Sequence, residues 1–235
     1  MRINKFISEA GAASRRGADR LVESGKVTIN GKKAKIGAQV EPGDDVRING
    51  NQIYIPRNTV YIALNKPVGI TSTTEKDVKG NVVDMVNQPF RVFHIGRLDK
   101  DSEGLILLTN DGDIVNEILR SEGKHEKEYI VSVDRPINDE FLKQMSEGVE
   151  ILGTTTLPAK TEQLSKYDFK LILTQGLNRQ IRRMCEALGY NVLRLQRIRI
   201  MNIELGNMPA GQWRYLSKKE KNQLFRDLDY DPKEW

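Results

Sequence analysis

Five carboxylates crowd the segment GRLDKDSEGLILLTNDGD, residues 96–113 of a basic chain: Asp99, Asp101, Glu103, Asp111 and Asp113. Grouped carboxylates can hold a cation or carry out acid–base and nucleophilic chemistry. The run Asp99-Lys-Asp101-Ser-Glu103-Gly104 opens like a calcium loop, with oxygen donors at positions 1, 3 and 5 and glycine at 6. Position 5 is Glu where Asp or Asn is usual, and position 12 is Asn110 where a bidentate Glu is needed. LILLT after the glycine reads as a buried strand, not the helix such a loop requires. Calcium is therefore set aside. Aspartate is common at turns for backbone reasons alone, so Asp101 and Glu103 read as solvated and Asp111 and Asp113 as turn and cap residues. Periodicity alone does not single out Asp99 from this group.

A second cluster stands downstream. Arg179, Arg182, Arg183, Arg194, Arg197 and Arg199 fall in one short stretch with Glu186 as the only acid among them. NRQIRRMCEALG reads as a helix opened by Asn178 and closed by Gly189, with Ile181, Met184, Cys185 and Leu188 toward the core. At 100° per residue Arg182 lies about 110° from the centre of that apolar face, a border position suited to a half-buried ion pair. Arg179 and Arg183 point further out, toward phosphate. A solvated basic helix explains the same pattern.

Composition narrows the classes. The chain has 235 residues, 38% apolar and 29% charged, as in ordinary globular proteins. Cys185 is the only cysteine, and His94 and His125 are the only histidines. Neither a disulfide framework nor a Cys/His metal site can be built from these. No apolar stretch approaches a membrane span. The expectation is a cytoplasmic protein without metal or cofactor. Residues 1–58 hold eleven Lys and Arg against six acids, a balance of +5, which is the net charge of the whole chain. A basic module on a neutral body suggests a polyanion-binding appendage.

The elements follow. Ile3, Phe6, Ile7 and Ala10 recur at helical spacing before Gly11, and Ser14 can cap a second helix with Ala18, Leu21 and Val22 inward. KVTINGKKA holds Asn30-Gly31, a strong hairpin signal, and EPGDDVRING adds a turn and a strand. NQIYIPRNT is the junction. Beyond it come strands in VYIALNK, GLILLT, KEYIVSVD, FKLILTQG and VLRLQRIRIMNIEL, with helices at IVNEILR, which Asp113 can cap, and at the arginine-rich segment. Strands outnumber helices and are not interleaved with them, so the fold class is α+β with a mainly antiparallel sheet.

Residues 2–48 resemble the S4-type RNA-binding module, in which two helices and the following loop present basic side chains to structured RNA. That resemblance points to Lys5, Arg15, Arg16, Arg20, Lys26, Lys32 and Lys33. Across nearly the whole chain, ALNKPVGITST, HIGRLDKDSEGLILLTNDGD, HEKEYIVSV and QGLNRQIRRMCEALGY occur in the order and spacing of bacterial ribosomal RNA pseudouridine synthases with an S4 module. The likeness is greatest to the F type, which acts on large-subunit (23S) RNA. It implies an S4-like RNA-binding domain over 1–58 and a catalytic domain over 59–235 with a mixed, mainly antiparallel sheet flanked by helices. It further implies Asp99 as the essential carboxylate, Tyr129 stacked on the target base, and Arg182 paired with Asp99. Asn65-Lys66-Pro67 would line the cleft, Arg97 would help hold the RNA open, and Arg179 and Arg183 would meet phosphate.

The chemistry is consistent with those residue types. Converting uridine to pseudouridine breaks the bond from C1′ to N1 and rejoins the base through C5, with no oxidation and no need for a cofactor. A carboxylate must act at the sugar, a neighbouring arginine keeps it ionised in a dry pocket, and an aromatic ring pins a base flipped out of its stack. The expected partner is a 23S ribosomal RNA stem-loop, with a tRNA anticodon loop as a second substrate, and the expected state is a monomer. Two alternatives stand: the same chemistry at another 23S or 16S site, and a non-catalytic S4-domain ribosome-binding protein. The second accounts for residues 1–58 but not for Asp99, Tyr129 and Arg182 together.

Overall fold

A computed structural model describes residues 1–56, 58–75, 77–120 and 125–232. Arg57, in the expected junction, lies outside the described residues. The N-terminal unit runs α1 (Ile3–Glu9), α2 (Arg15–Glu23), β1 (Val27–Ile29), β2 (Lys32–Lys33), β3 (Val46–Ile48) and β4 (Asn51–Gln52). Ser14 caps α2 as expected, its Oγ accepting from the Gly17 N–H at 3.1 Å. Asn30 and Gly31 both take positive φ, 51° and 78°, the backbone of a tight hairpin turn, and Thr28 and Ile29 pair with Lys33 and Lys32. Ile3, Phe6, Ile7, Ala18, Val22, Val27, Val40 and Val46 form a core of their own.

The body continues with β5 (Tyr61–Lys66), α3 (Val82–Val86), β6 (Phe93–Ile95), β7 (Glu103–Thr109), α4 (Gly112–Leu119) and β8 (Lys127–Val133). Next come α5 (Asp139–Glu147), β9 (Glu150–Ile151), β10 (Thr154–Thr155), β11 (Lys160–Gln163), β12 (Asp168–Leu173) and α6 (Gln180–Ala187). The chain ends with β13 (Val192–Ile200), β14 (Ile203–Glu204), β15 (Trp213–Tyr215) and α7 (Lys218–Asp227). One sheet runs β11-β12-β8-β13-β7-β5-β15, with β14 beside β13 and β6 beside β7. Among the described strands only the β13–β7 pairing is parallel. The sheet is mixed and mainly antiparallel, and the fold is α+β.

Successive residues of a strand face opposite sides, and both sides of the central strands are covered. Ile62, Leu64, Ile106 and Leu108 join one core, under α3, α5 and α6. Tyr61, Ala63, Leu105 and Leu107 join the other, under α4 and α7. That is why LILL is apolar at every position, whereas KEYIVSV on β8 is buried at alternate residues.

Two details differ from the sequence expectation. Asp111, not Asp113, caps α4, accepting the Asp113 N–H at 3.1 Å. Asp111 also accepts hydroxyl hydrogen bonds from Tyr61 at 2.6 Å and Tyr230 at 2.7 Å. Asp113 is thereby free to clasp the N-terminal unit: Lys5 Nζ reaches its Oδ1 at 2.5 Å, with Glu9 3.6 Å from the same ammonium. A second clasp is Arg91 Nη1, which donates to Ser8 Oγ at 3.0 Å and to the Ala13 carbonyl at 2.9 Å. Lys5 is thus committed to the body and is not a free phosphate contact.

Two lysines tie stability to pH. Burial pushes the ammonium of Lys66 down to about 8, and burial with the nearby Arg197 charge does the same to Lys127. An unfolded lysine keeps its proton to about 10.4. Between about pH 8 and 10 the unfolded state therefore binds more protons, and stability should rise with pH. Above about 10 the sign reverses. Tyr61 and Tyr230, held protonated by burial and by Asp111, keep protons that unfolded tyrosines release. Urea midpoints should increase from pH 7.5 to 9.5, and Lys66→Met should flatten that rise. A flat wild-type profile would contradict the buried ammonium groups.

Candidate active site

The loop from β6 to β7 carries Arg97, Leu98 and Asp99, and it is pinned from both flanks. Ser72 Oγ donates to the Leu98 carbonyl at 2.7 Å and accepts the Leu98 N–H at 3.2 Å. The Gly69 N–H donates to the Lys100 carbonyl at 2.7 Å, and the Ser102 N–H closes back on the Asp99 carbonyl at 3.1 Å. These anchors fix the backbone from which the Asp99 side chain departs. Its carboxylate is 33% exposed.

This loop divides two hollows. A cleft of about 620 Å³ is lined by Asp99, Arg97 and Ser102 from the loop, Lys127 and Tyr129 from β8, Leu195 and Arg197 from β13, and the segment Leu173–Ile181. A shallower hollow of about 450 Å³ lies across the loop, between Val68, Gly69, Thr71 and Ser72 and the pair Lys100 and Asp101. Arg97, Leu98, Asp99 and Arg179 border both. The deeper cleft is within the size range of small-molecule sites. Tyr129 is buried in its wall, and its β8 neighbour Lys127 faces the same space.

The arginines are distributed otherwise than the sequence predicts. Arg182 does not pair with Asp99. Its Nη2 donates to the Asp101 carbonyl at 2.9 Å and to Ser102 Oγ at 3.2 Å, its Nη1 donates to the Val192 carbonyl, and its Nε lies 3.4 Å from Asp101 Oδ2. The cation nearest Asp99 is Arg179, at 3.4 Å. The cause is the start of α6. Arg179, not Asn178, occupies the N-cap, in left-handed conformation at φ 50° and with no side-chain cap hydrogen bond. Its guanidinium is directed at the loop, where it grips both oxygens of Asp101 at 3.0 and 3.1 Å. Arg183 folds back on the Asn178 carbonyl at 3.1 Å.

Asp101 is therefore exposed, as expected, but also a hub. The hydrogen bonds from Arg179 and the nearby Arg182 hold its carboxyl below the usual carboxylate range, and Asp101 in turn holds the Arg179 charge. Asp101→Asn should release Arg179 toward Asp99 and loosen Arg182. The carboxylate is 49% exposed, so the pair contributes ~1 kcal/mol and kcat/KM should fall about five- to tenfold. Unchanged kinetics would return Asp101 to the solvated group.

The Asn65-Lys66-Pro67 turn does not line either hollow. Lys66 is 0% exposed and donates to the carbonyls of Pro67 at 3.0 Å and Ile70 at 2.9 Å. Asn65 Nδ2 donates to the Met208 carbonyl. The turn braces the strand behind the loop. In the N-terminal unit Arg15, Arg16, Arg20, Lys26, Lys32 and Lys33 are all exposed and form no ion pair among the described residues. Arg197, buried in the cleft, is a site residue the sequence reading missed; its pairing opposite Tyr129 in the sheet could not be read from a run of alternating arginines.

The sequence of RNA pseudouridylate synthases matches residues 60–187, the stretch that contains the pinned loop, Tyr129 and the arginine-bearing helix. The chain belongs to the RNA pseudouridylate synthase family. Residues 1–51 match the S4 domain. The dual-specificity RNA pseudouridine synthase RluF of Escherichia coli K12 is 56% identical over 232 residues, covering 97% of this chain and 80% of the relative. Ribosomal large subunit pseudouridine synthase B of Bacillus subtilis is 36% identical, with 95% of each chain covered. A crystal structure of a pseudouridylate synthase superposes with a TM-score of 0.71 at 30% identity, over 95% of this chain and 99% of the other. As a pseudouridylate synthase, this protein is an isomerase that converts uridine to pseudouridine in RNA, with an RNA-binding S4 domain at its N-terminus.

Proposed function

We propose that the substrate is a uridine in a loop or bulge of large-subunit (23S) ribosomal RNA, with a tRNA anticodon loop as a second substrate. In this reading Asp99 is the catalytic carboxylate acting at the sugar, and Tyr129 is the ring on which the flipped base rests. Arg179 is the cation beside Asp99, 3.4 Å away, and Arg182 is a positioning residue that holds Asp101 and Ser102. The observation that carries the reading is the placement of Asp99. It stands on the rim of a cleft deep enough for a base, with Tyr129 in the wall and cations at the mouth.

The division of the chain at residues 58 and 59 follows the separate N-terminal core. The exposed Arg15, Arg16, Arg20, Lys26, Lys32 and Lys33 supply phosphate contacts that set register, while the body reads the uridine. Arg97, which borders the cleft, and Arg183, on α6, meet the adjoining backbone. One relative is named for the large ribosomal subunit, which supports the choice of 23S RNA, and another for dual specificity, which supports a second RNA substrate. The protein is taken to act as a monomer. No helix among the described residues is long and apolar enough to cross a membrane, in keeping with action on ribosomal RNA in the cytoplasm.

The test is a map of pseudouridines in ribosomal RNA and tRNA from a strain lacking the protein. One missing 23S site and one missing tRNA site, restored by the wild-type gene, is the expected outcome. Loss confined to 16S RNA would overturn the target.

A further inference from the structure

Arg197 is the most deeply placed charge of the cleft. It lies on β13, opposite Tyr129 of β8 on one side and Gly104 of β7 on the other. It is 3% exposed and borders the cleft together with Asp99 and Tyr129. Its Nε donates to the Leu105 carbonyl at 2.7 Å, while Nη2 is buried with no hydrogen-bond partner. No carboxylate pairs with it among the described residues. Lys127, on the same wall, is likewise without an acidic partner among them, and its ammonium donates to the His125 carbonyl at 3.0 Å. A buried guanidinium without a counter-ion is unfavourable unless something else meets it.

What meets it is constrained by depth. RNA phosphates stay with the backbone at the mouth, where Arg97, Lys100 and Arg179 are exposed. The base is the part of a flipped nucleotide that enters furthest. On the family chemistry established above and on Asp99 as its carboxylate, we propose that Arg197 is a catalytic residue that donates a hydrogen bond to a carbonyl oxygen of the target uracil and stabilises the base as an anion once it has left the sugar.

The electron count is simple. When the bond from C1′ to N1 breaks, its pair stays with the base, and the negative charge spreads over N1 and the two carbonyl oxygens. The base then turns over about the line through N3 and C6. That turn exchanges N1 with C5, and it also exchanges O2 with O4. A donor fixed in the wall therefore meets a carbonyl oxygen before and after the turn. C5 gives its electron pair to the electron-deficient C1′, the proton on C5 passes to solvent water, and N1 takes a proton from solvent, so the protons balance. Arg197 keeps its own protons throughout.

The test uses the full chain and a synthetic stem-loop holding the mapped uridine, 2-thiouridine or 4-thiouridine at the target, since sulfur is a poor acceptor. Conversion is followed in single turnover by nucleoside chromatography. Arg197→Met should bind the RNA as wild type does but convert it about 10²–10³-fold more slowly, the loss seen when one oxyanion donor is removed. Arg197→Lys should recover part of the rate. Sulfur at either position should slow the wild type, and should add little to the loss already present in Arg197→Met. If sulfur slows wild type and Arg197→Met by the same factor, or if Arg197→Met converts uridine at the wild-type rate, the proposal is overturned. If Arg197→Met fails to fold, Arg197→Gln, which removes the charge, carries the comparison: it should convert uridine more slowly than wild type, and conversion at the wild-type rate is the overturning result. The assignment of Asp99 is tested separately by Asp99→Asn, so failure of one reading does not mimic failure of the other.

Discussion

Asp99→Asn is expected to lower turnover by about 10⁴-fold, the upper end of what a single positioned acid or base supplies. The substitution keeps shape and removes charge, so the anchors on Leu98, Lys100 and Ser102 persist and the loop stays in place. RNA affinity should therefore change little. Release of tritium from RNA labelled at C5 of uridine measures the chemistry, and filter binding or anisotropy measures affinity. A variant that releases tritium within tenfold of wild type would remove Asp99 from the central role. Parallel loss of binding would instead show that its charge organises the mouth, where Arg179 stands 3.4 Å away.

Gly104→Ala should also be damaging, although Gly104 touches no substrate in any reading of the cleft. A Cβ there would lie 2.3 Å from the Arg197 carbonyl oxygen and 2.7 Å from its nitrogen, and the residue already sits at φ +102°. Only glycine fits a backbone so close to its neighbour in a conformation L side chains avoid. The clash contributes about 1–3 kcal/mol of destabilisation and the backbone ~1–2 kcal/mol more. The strain falls on the single parallel pairing in the sheet, which joins Arg197 to the strand that follows the Asp99 loop. A displacement of about 1 Å between groups that must cooperate can cost about 10²-fold in rate. Thermal melting and tritium release on the same preparation check both parts. Wild-type activity with a lowered Tm would mean that the two strands can separate without disturbing the cleft.

Much of the fold was legible because its signals are local. Ser14, Asn30-Gly31 and the alternation of KEYIVSV each declare themselves within a few residues, and the structure places a cap, a turn and a half-buried strand there. The helices α3, α5 and α7 were not read, although Asn81, Asn138 and Ser217 are good capping residues; α3 has only five residues, too few for a helical period to show. At the site, the ion pairs were the weak point. Helical geometry put Arg182 at the border of α6, and it is half-buried there, but the angle around a helix does not say which carboxylate is opposite. That depends on the left-handed residue at 179 and on the distance between two loops far apart in sequence, neither of which leaves a local pattern. Arg197 was hidden for the same reason. Arg194, Arg197 and Arg199 look alike along the chain, yet Arg194 and Arg199 meet Glu103 and Glu128 while Arg197 is turned into the cleft.

The clasps between the S4 domain and the body bear on how RNA is held. Arg91, which grips Ala13 and Ser8, stands just before β6, and the Asp99 loop begins where β6 ends. With Lys5 on Asp113 as a second point of attachment, the two parts meet RNA as one surface whose geometry is set before binding. Two domains on a slack tether would enjoy a gain from linkage, but would lose part of it in ordering the tether each time. Here that ordering is completed when the chain folds. The span from the basic helix to the reacting uridine then becomes a property of the protein, so an RNA is admitted by its length and bend as much as by its charge.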